Sequence, residues 1–318
     1  MHIPDGFLNG RIAAVAGVLS AGAIAMSVRQ TRKYLPARKV PLMGLTAAFV
    51  FAAQMLNFPV AGGTSGHMVG GVLCSVLLGP SAAILVISSV LIVQCFVFAD
   101  GGVLALGANI FNMAVVCSVG GYYVYSAVYR LMPTKRGRLV AVAFSSWVAT
   151  VLAAIVCAGE LALSGTIGWS IAFPAMAGVH MLIGVGEAII TTLVIFAMMQ
   201  SRPDLLEGAA LENKKGYWEI MVFGAVIAIG LALFVSPFAC AWPDGLDHVA
   251  DALGFMGREA KGRIIPSPMP DYVFPGVKFV GLATSIAGVV GTVVAFGLAV
   301  VLARVLVPGE KREAEGQG

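Results

Sequence analysis

The sequence predicts an all-α polytopic membrane protein of about nine transmembrane helices, seven followed by a two-helix hairpin, with its N-terminus outside. Three observations carry that expectation. Hydrophobic residues make up 59% of the 318 positions and charged residues only 11%, against roughly a quarter charged in an ordinary soluble domain. Apolar runs long enough for a roughly 30 Å hydrocarbon core follow one another between short polar breaks. The alternating segments of about ten residues that a membrane barrel needs are not seen. The expected environment is the lipid bilayer, and the net charge of +4 comes from basic residues beside the apolar runs, so no nucleic-acid partner is expected.

The runs cover residues 12–29, 41–58, 68–79, 81–98, 103–128, 139–160, 173–199, 217–238 and 277–303. Basic residues fill the breaks: Arg29, Arg32, Lys33, Arg38 and Lys39; Arg130, Lys135, Arg136 and Arg138; Arg202, Lys214 and Lys215; Arg304, Lys311 and Arg312. The positive-inside rule assigns these to the cytoplasm. The stretch 68–98 is too long for one span and is broken at Gly79-Pro80; counting it as two crossings puts every basic break on one side. The N-terminus, the loop containing His67, the Asp100 turn and the segment 239–275 then face outward from the cytoplasmic (inner) membrane. Composition shifts at 201–216 (SRPDLLEGAALENKKG), which reads as a cytoplasmic linker between a seven-helix unit, 1–200, and a two-helix unit, 217–318. The proline-rich second half of the external loop 239–275 favours extended structure. Cys74, Cys95, Cys117, Cys157 and Cys240 lie mostly in apolar runs without a CxxC pair and read as small buried residues.

The segment MHIPDGFLNGR has no basic n-region and no cleavage site, so no signal peptide is expected and Met1 should carry a free amine beside His2. An α-amine, the deprotonated amide of residue 2 and imidazole Nδ1 can close fused five- and six-membered rings in one plane. A second imidazole would complete a square-planar four-nitrogen set, which suits Ni²⁺ and Cu²⁺ and suits Zn²⁺ poorly. His67, in AGGTSGHMVGG, is the candidate fourth donor, since its glycines allow close backbone approach. Spacing alone leaves a second reading open, in which His2 is an unstructured terminal residue and His67 an ordinary loop residue.

Several other polar residues are candidates. Asp5 could orient the chelate by a hydrogen bond or be a turn residue of Pro4-Asp5-Gly6. Gln54, Asn57, Asn109 and Asn112 occur in or near spans, where an unsatisfied amide is costly; they either support the ligands from behind or hold helices together. His180 and Glu187 are seven residues apart and share a helix face, an ionisable pair inside a span, although His180 could instead meet the outer interface. His248 could meet incoming metal or remain solvated. Ala13, Gly17, Ala21 and Ala25 form a small-residue stripe suited to docking a partner helix or to packing within the chain.

The stretches MHIPDGFL, AGGTSGHMVGGVL, QCFVFADGGVLALGANIFNMA and HMLIGVGEAIITT, in that order over about residues 1–200, resemble the substrate-binding component of the nickel and cobalt energy-coupling factor transporters. The resemblance implies a metal held by the Met1 amine, the amide and imidazole of His2 and the imidazole of His67. It also implies two kinds of partner, a membrane-embedded coupling component and two cytoplasmic ATP-binding subunits, with the small-residue stripe as candidate contact. WPDGLD, Trp242 to Asp247, resembles the PDGLE signature of the two-span accessory subunit, departing from it in Asp247, and fusion of the two subunits matches the break at 201–216. The Ile3-Pro4-Asp5 start looks more like the nickel branch than the cobalt branch. The expected function is thus high-affinity Ni²⁺ capture and uptake, with Co²⁺ the alternative substrate. No GxxxxGK[ST] phosphate loop occurs, so ATP hydrolysis is expected in the partners and not in this chain. An intramembrane metalloenzyme is disfavoured by the lack of HExxH and by a plane with no equatorial position for water. A passive channel is disfavoured by the lack of repeated acidic or carbonyl rings.

Overall fold

The computed structural model describes residues 1–36, 39–207, 214–260, 262 and 264–306. Arg38, Lys311, Arg312 and the middle of the 201–216 linker lie outside the described residues.

Each of the nine apolar runs contains a helix, but among the described residues seven helices are long and apolar enough to cross a membrane. These are α1 (Gly10–Tyr34), α4 (Pro80–Phe98), α5 (Leu106–Leu131), α6 (Lys135–Leu163), α7 (Trp169–Ser201), α8 (Trp218–Phe238) and α10 (Val280–Leu306). The runs 41–58 and 68–79 form shorter helices, α2 (Val40–Gln54, 15 residues) and α3 (Gly71–Leu78, 8 residues). At 1.5 Å per residue these measure about 22 and 12 Å, short of a roughly 30 Å core. Between them runs an antiparallel hairpin, β1 (Phe58–Val60) and β2 (Thr64–Gly66), in the register Phe58↔Gly66. Gly62 and Gly63 turn it with φ of +93° and +81°, and the chain reaches α3 through non-helical residues 67–70.

At the other end of the bundle the Lys39 ammonium donates to the Leu77 carbonyl (3.3 Å) and the Ser81 hydroxyl to Gln30. These contacts bring the Gly79-Pro80 turn to the end that carries the basic residues 29–39. The hairpin and the N-terminus meet at the opposite end of α2.

The C-terminal helices are part of the same bundle. α10 lies along α2, where a methyl on Gly291 would stand 2.0 Å from the Phe51 ring. Beside it Phe51, Phe98 and Tyr272 form one aromatic stack, with ring centroids 5.3 Å and 4.7 Å apart at its two closer contacts. The polar loop between α8 and α10 contains a short helix, α9 (Gly245–Ala252), capped by Asp244.

The α1 stripe divides. Gly17 packs within the chain, since a methyl on Gly107 would lie 2.5 Å from the Gly17 Cα, and Ser20 Oγ donates to the Gly107 carbonyl at 2.6 Å. Ala21 and Ala25 are exposed. Ahead of α1, Ile3 and Phe7 are fully buried. Burying two such side chains stabilises by about 3–6 kcal/mol, which holds in place a segment that in most domains frays.

Candidate metal centre

The N-terminal segment is fixed from behind by backbone hydrogen bonding. Asn109 grips Ile3 at both ends of the residue: its Oδ1 accepts from the Ile3 N–H (2.7 Å) and its Nδ2 donates to the Ile3 carbonyl (3.1 Å). The Gly102 N–H donates to the same carbonyl at 2.9 Å. The Asp5 carboxylate accepts from the backbone N–H groups of Val103 (3.0 Å), Leu104 (2.8 Å) and Ala105 (3.3 Å). Asp5 therefore pins the segment to the turn before α5 and does not reach the terminal amine. Only glycine fits at 102, where a Cβ would fall 2.2 Å from Asp5 Oδ1.

His67 leaves the end of β2 with its Nδ1–H donating to the Met68 carbonyl (3.1 Å), which leaves Nε2 as the lone-pair nitrogen. That Nε2 is 2.9 Å from the Met1 amine. The turn behind it is held by Glu187, whose carboxylate accepts from the N–H groups of Val69 (2.6 Å) and Gly70 (3.0 Å), and by Gln54, whose amide donates to the Val69 carbonyl (2.8 Å). The His2 ring stacks on His67, centroids 5.1 Å apart. Its Nε2 is 3.2 Å from Gln94 Oε1 and its Nδ1 3.2 Å from Asp100 Oδ1. A proton on Nε2 shared with Gln94 leaves Nδ1 the lone pair a chelate requires, while Asp100 favours a proton there instead. Gln94 opens a π-helical last turn of α4, and Ala99, at φ +56°, reverses the chain to deliver Asp100.

Burial lowers the His2 pKa against the opposing pull of Asp100, and it lowers that of His67 further, with help from the Met1 ammonium and His2. Both shifts favour the neutral ring, the form in which imidazole binds metal. Asp244 Oδ2 lies 2.5 Å from the Met1 amine. Burial pushes this carboxyl upward, but the Met1 ammonium beside it outweighs that and holds it well below the usual carboxylate range. Burial and the neighbouring Asp244 push Asp247 up to about 7. Nitrogen and oxygen ligand atoms of His2, His67 and Asp244 lie within 4.8 Å of one another. The chemistry of these donors fits a divalent transition metal: two imidazoles and one carboxylate group together, with the Met1 amine against both His67 and Asp244. A cleft of about 780 Å³ bounded by His2, Asp100, Asp244 and Tyr272 leads to it.

Asp244 is a site residue that spacing in the sequence did not single out. It stands in the quoted WPDGLD motif, but nothing in the sequence relates position 244 to position 1; Gln94 and Asp100, in QCFVFADGG, were likewise not singled out as partners of His2. The other candidates take different places around the site. Asn57 lines the cleft and its carbonyl accepts from Cys240 (2.8 Å), while Asn112 donates to Glu160 (2.6 Å). His180 is buried in α7, its Nδ1–H donating to Met176 (2.8 Å), and lines a small cavity shared with Met1, His67 and Asp244. Glu187 bonds the 69–70 backbone, and among the described residues no hydrogen bond joins it to His180, whose Nε2 has no partner there. His248 is half-buried on α9 and stands outside the cluster.

The family model described as the cobalt uptake substrate-specific transmembrane region, CbiM, matches residues 2–205, and that of the PDGLE domain matches residues 218–307. The chain belongs to the CbiM family. A chain of Archaeoglobus fulgidus named provisionally as a fused nickel transport protein NikMN is 38% identical over 307 residues, 96% of this CbiM chain and 98% of that one. The fused nickel transport protein NikMN of Rhodobacter capsulatus is 36% identical over 65% of this chain and 64% of its own. The cobalt transport protein CbiM of Acetoanaerobium sticklandii is 31% identical over 61% and 82%. A crystal structure described as a truncated transition metal transporter superposes with a TM-score of 0.58 at 34% identity, covering 63% of this chain and 99% of that one.

Proposed function

We propose that this CbiM chain is the substrate-binding component of an ATP-driven energy-coupling factor importer, and that it captures Ni²⁺ at the outer face of the cytoplasmic membrane. The single observation carrying this is the convergence of the Met1 amine, His2 and His67, with His67 Nε2 2.9 Å from the amine. The metal displaces protons from the amine and the His2 amide and is held by four nitrogens, the fourth being His67 Nε2. Nickel is favoured over cobalt by the square plane such a set imposes and by the name of the relative that aligns over 96% of the chain. Co²⁺ is the second reading, since cobalt transport proteins are among the relatives.

In the proposed topology all nine helices count as crossings, α2 and α3 being completed by the hairpin and by residues 67–70. The site then lies about 22 Å along α2 from the basic end, near the far side of a roughly 30 Å core, and opens outward. Residues 1–200 form the metal-binding unit, 201–216 a cytoplasmic linker and 217–318 the accessory unit. A coupling component docks in the membrane, with the exposed Ala21 and Ala25 as candidate contacts, and two ATP-binding subunits drive inward release. The test is metal uptake by cells expressing the chain with and without those subunits. Nickel accumulation should need all of them and resist equimolar cobalt. Uptake that proceeds without the ATP-binding subunits refutes the transporter reading, and uptake that cobalt abolishes at equal concentration favours the cobalt one.

A further inference from the structure

The proposed chelate has a charge problem that its four nitrogens do not solve. A divalent ion bound by a neutral amine, one amide anion and two neutral imidazoles is a unit of charge +1, and a buried charge without a partner is strongly destabilising. Resting on that chelate reading, we propose that Asp244 is the counter-ion and positioning residue of the metal centre, so that the loop of the PDGLE domain completes the site.

The carboxylate is held at both oxygens. Oδ1 accepts from the Leu246 N–H (2.8 Å) and the Asp247 N–H (3.0 Å), capping α9, while Oδ2 stands 2.5 Å from the Met1 amine. A coordinated amine keeps N–H bonds, and one of them donating to Oδ2 fixes the direction of its lone pair by a charge-assisted hydrogen bond. The loop is also tied to the strand that leads to His67. The Ser65 N–H donates to the Pro243 carbonyl (2.8 Å), Ser65 Oγ to the Trp242 carbonyl (2.8 Å) and Thr64 Oγ1 to the Pro243 carbonyl (3.2 Å). One short segment, 242–247, therefore touches both parts of the chain that supply ligands. Asp100, the other nearby carboxylate, faces the His2 ring and is more exposed, 26% against 15% for the Asp244 side chain. That makes Asp244 the better-desolvated neutraliser.

The experiment is Ni²⁺ titration of the full chain with its native N-terminus, read by calorimetry and by the absorption spectrum of the bound metal. Asp244→Asn should weaken binding about 10–100-fold, the range typical of lost outer-shell partners, with the band position unchanged because the four nitrogens remain. Asp244→Glu retains the charge and should recover affinity to within about three-fold on the same scale. If Asp244→Glu binds as weakly as Asp244→Asn, which retains the α9 cap, the charge at this position does not support the metal and the proposal is overturned; should Asp244→Asn not fold, Asp244→Glu is compared with the unsubstituted chain, and a loss of about ten-fold or more overturns it. A shifted band in Asp244→Asn would make the carboxylate a ligand and overturn it too. Asp244→Asn binding like the unsubstituted chain while His67→Ala abolishes binding would overturn the counter-ion and leave the chelate standing. Binding indifferent to His67→Ala would remove the chelate itself.

Discussion

Replacing Asn109 with alanine removes the two hydrogen bonds that hold Ile3, at 2.7 and 3.1 Å, one residue after the proposed His2 ligand. The Ile3 carbonyl keeps the Gly102 N–H at 2.9 Å, but the Ile3 N–H is left buried and unpaired. An orphaned buried donor costs about 1–3 kcal/mol and the second lost bond about 1 kcal/mol more. The segment can escape that penalty only by leaving its groove, which takes the amine and His2 with it. A loss of about 2 kcal/mol or more in metal binding corresponds to roughly thirty-fold in affinity. The assay is calorimetric Ni²⁺ titration against a competing chelator, with Asn112→Ala as the control, since Asn112 bonds Glu160 and not the N-terminus. Nickel affinity of Asn109→Ala within about two-fold of the unsubstituted chain, well under the roughly 1.4 kcal/mol of a tenfold change, would refute the idea that residues 1–3 act as a clamped unit.

Three further outcomes follow from the same geometry. Gly102→Ala places a methyl 2.2 Å from Asp5 Oδ1 and 2.4 Å from its backbone nitrogen, so nickel affinity should fall at least about ten-fold, as for a displaced ligand support, and an unchanged titration would contradict the packing. Glu187→Gln exchanges a carboxylate that accepts two backbone N–H groups for an amide with one acceptor. Metal-free stability should fall by about 2–4 kcal/mol, read as a lower thermal midpoint, and an unmoved midpoint would count against it. His2 and His67 have depressed pKa values in the folded chain, so below about pH 6.5 the unfolded state binds more protons at these two rings and their contribution to stability falls as pH falls, while Asp247, pushed up to about 7, contributes in the opposite sense. Nickel affinity measured between about pH 7.5 and pH 5.5 should fall, because both rings must stay neutral to bind metal; a flat affinity profile would contradict the imidazole ligands.

The helices were legible because burial in lipid demands long apolar stretches, and α1 and α4–α8 appear within a few residues of the apolar runs at 12–29, 81–98, 103–128, 139–160, 173–199 and 217–238. The hairpin was not legible. Asn57, Pro59, Gly62 and Gly63 do mark a turn, but the surrounding apolar residues gave 41–58 and 68–79 the composition of full spans, and two-residue alternation over three-residue strands is too short to register. At the site, His2 and His67 could be found because chelate chemistry depends on the residue's position relative to a free amine. The amide of Asn109 could be noticed as a polar group in a span, but its target, the backbone of Ile3, leaves no mark on the identity of residue 3. Asp244 illustrates the limit most plainly. Pro243-Asp244-Gly245 reads locally as a helix cap, which it is, and its second oxygen serves a partner 243 residues away.

The most direct test of the central claim is the bound metal and its absorption spectrum in chain purified with Met1 at the terminus, compared with chain carrying one added N-terminal residue and with His67→Ala. The added residue moves histidine to the third position and takes the amine away from His67 Nε2 and Asp244. The account predicts about one nickel per chain with a square-planar spectrum in the first protein, and loss or remaking of that spectrum in the other two. Nickel bound with the same affinity and spectrum in all three would contradict it.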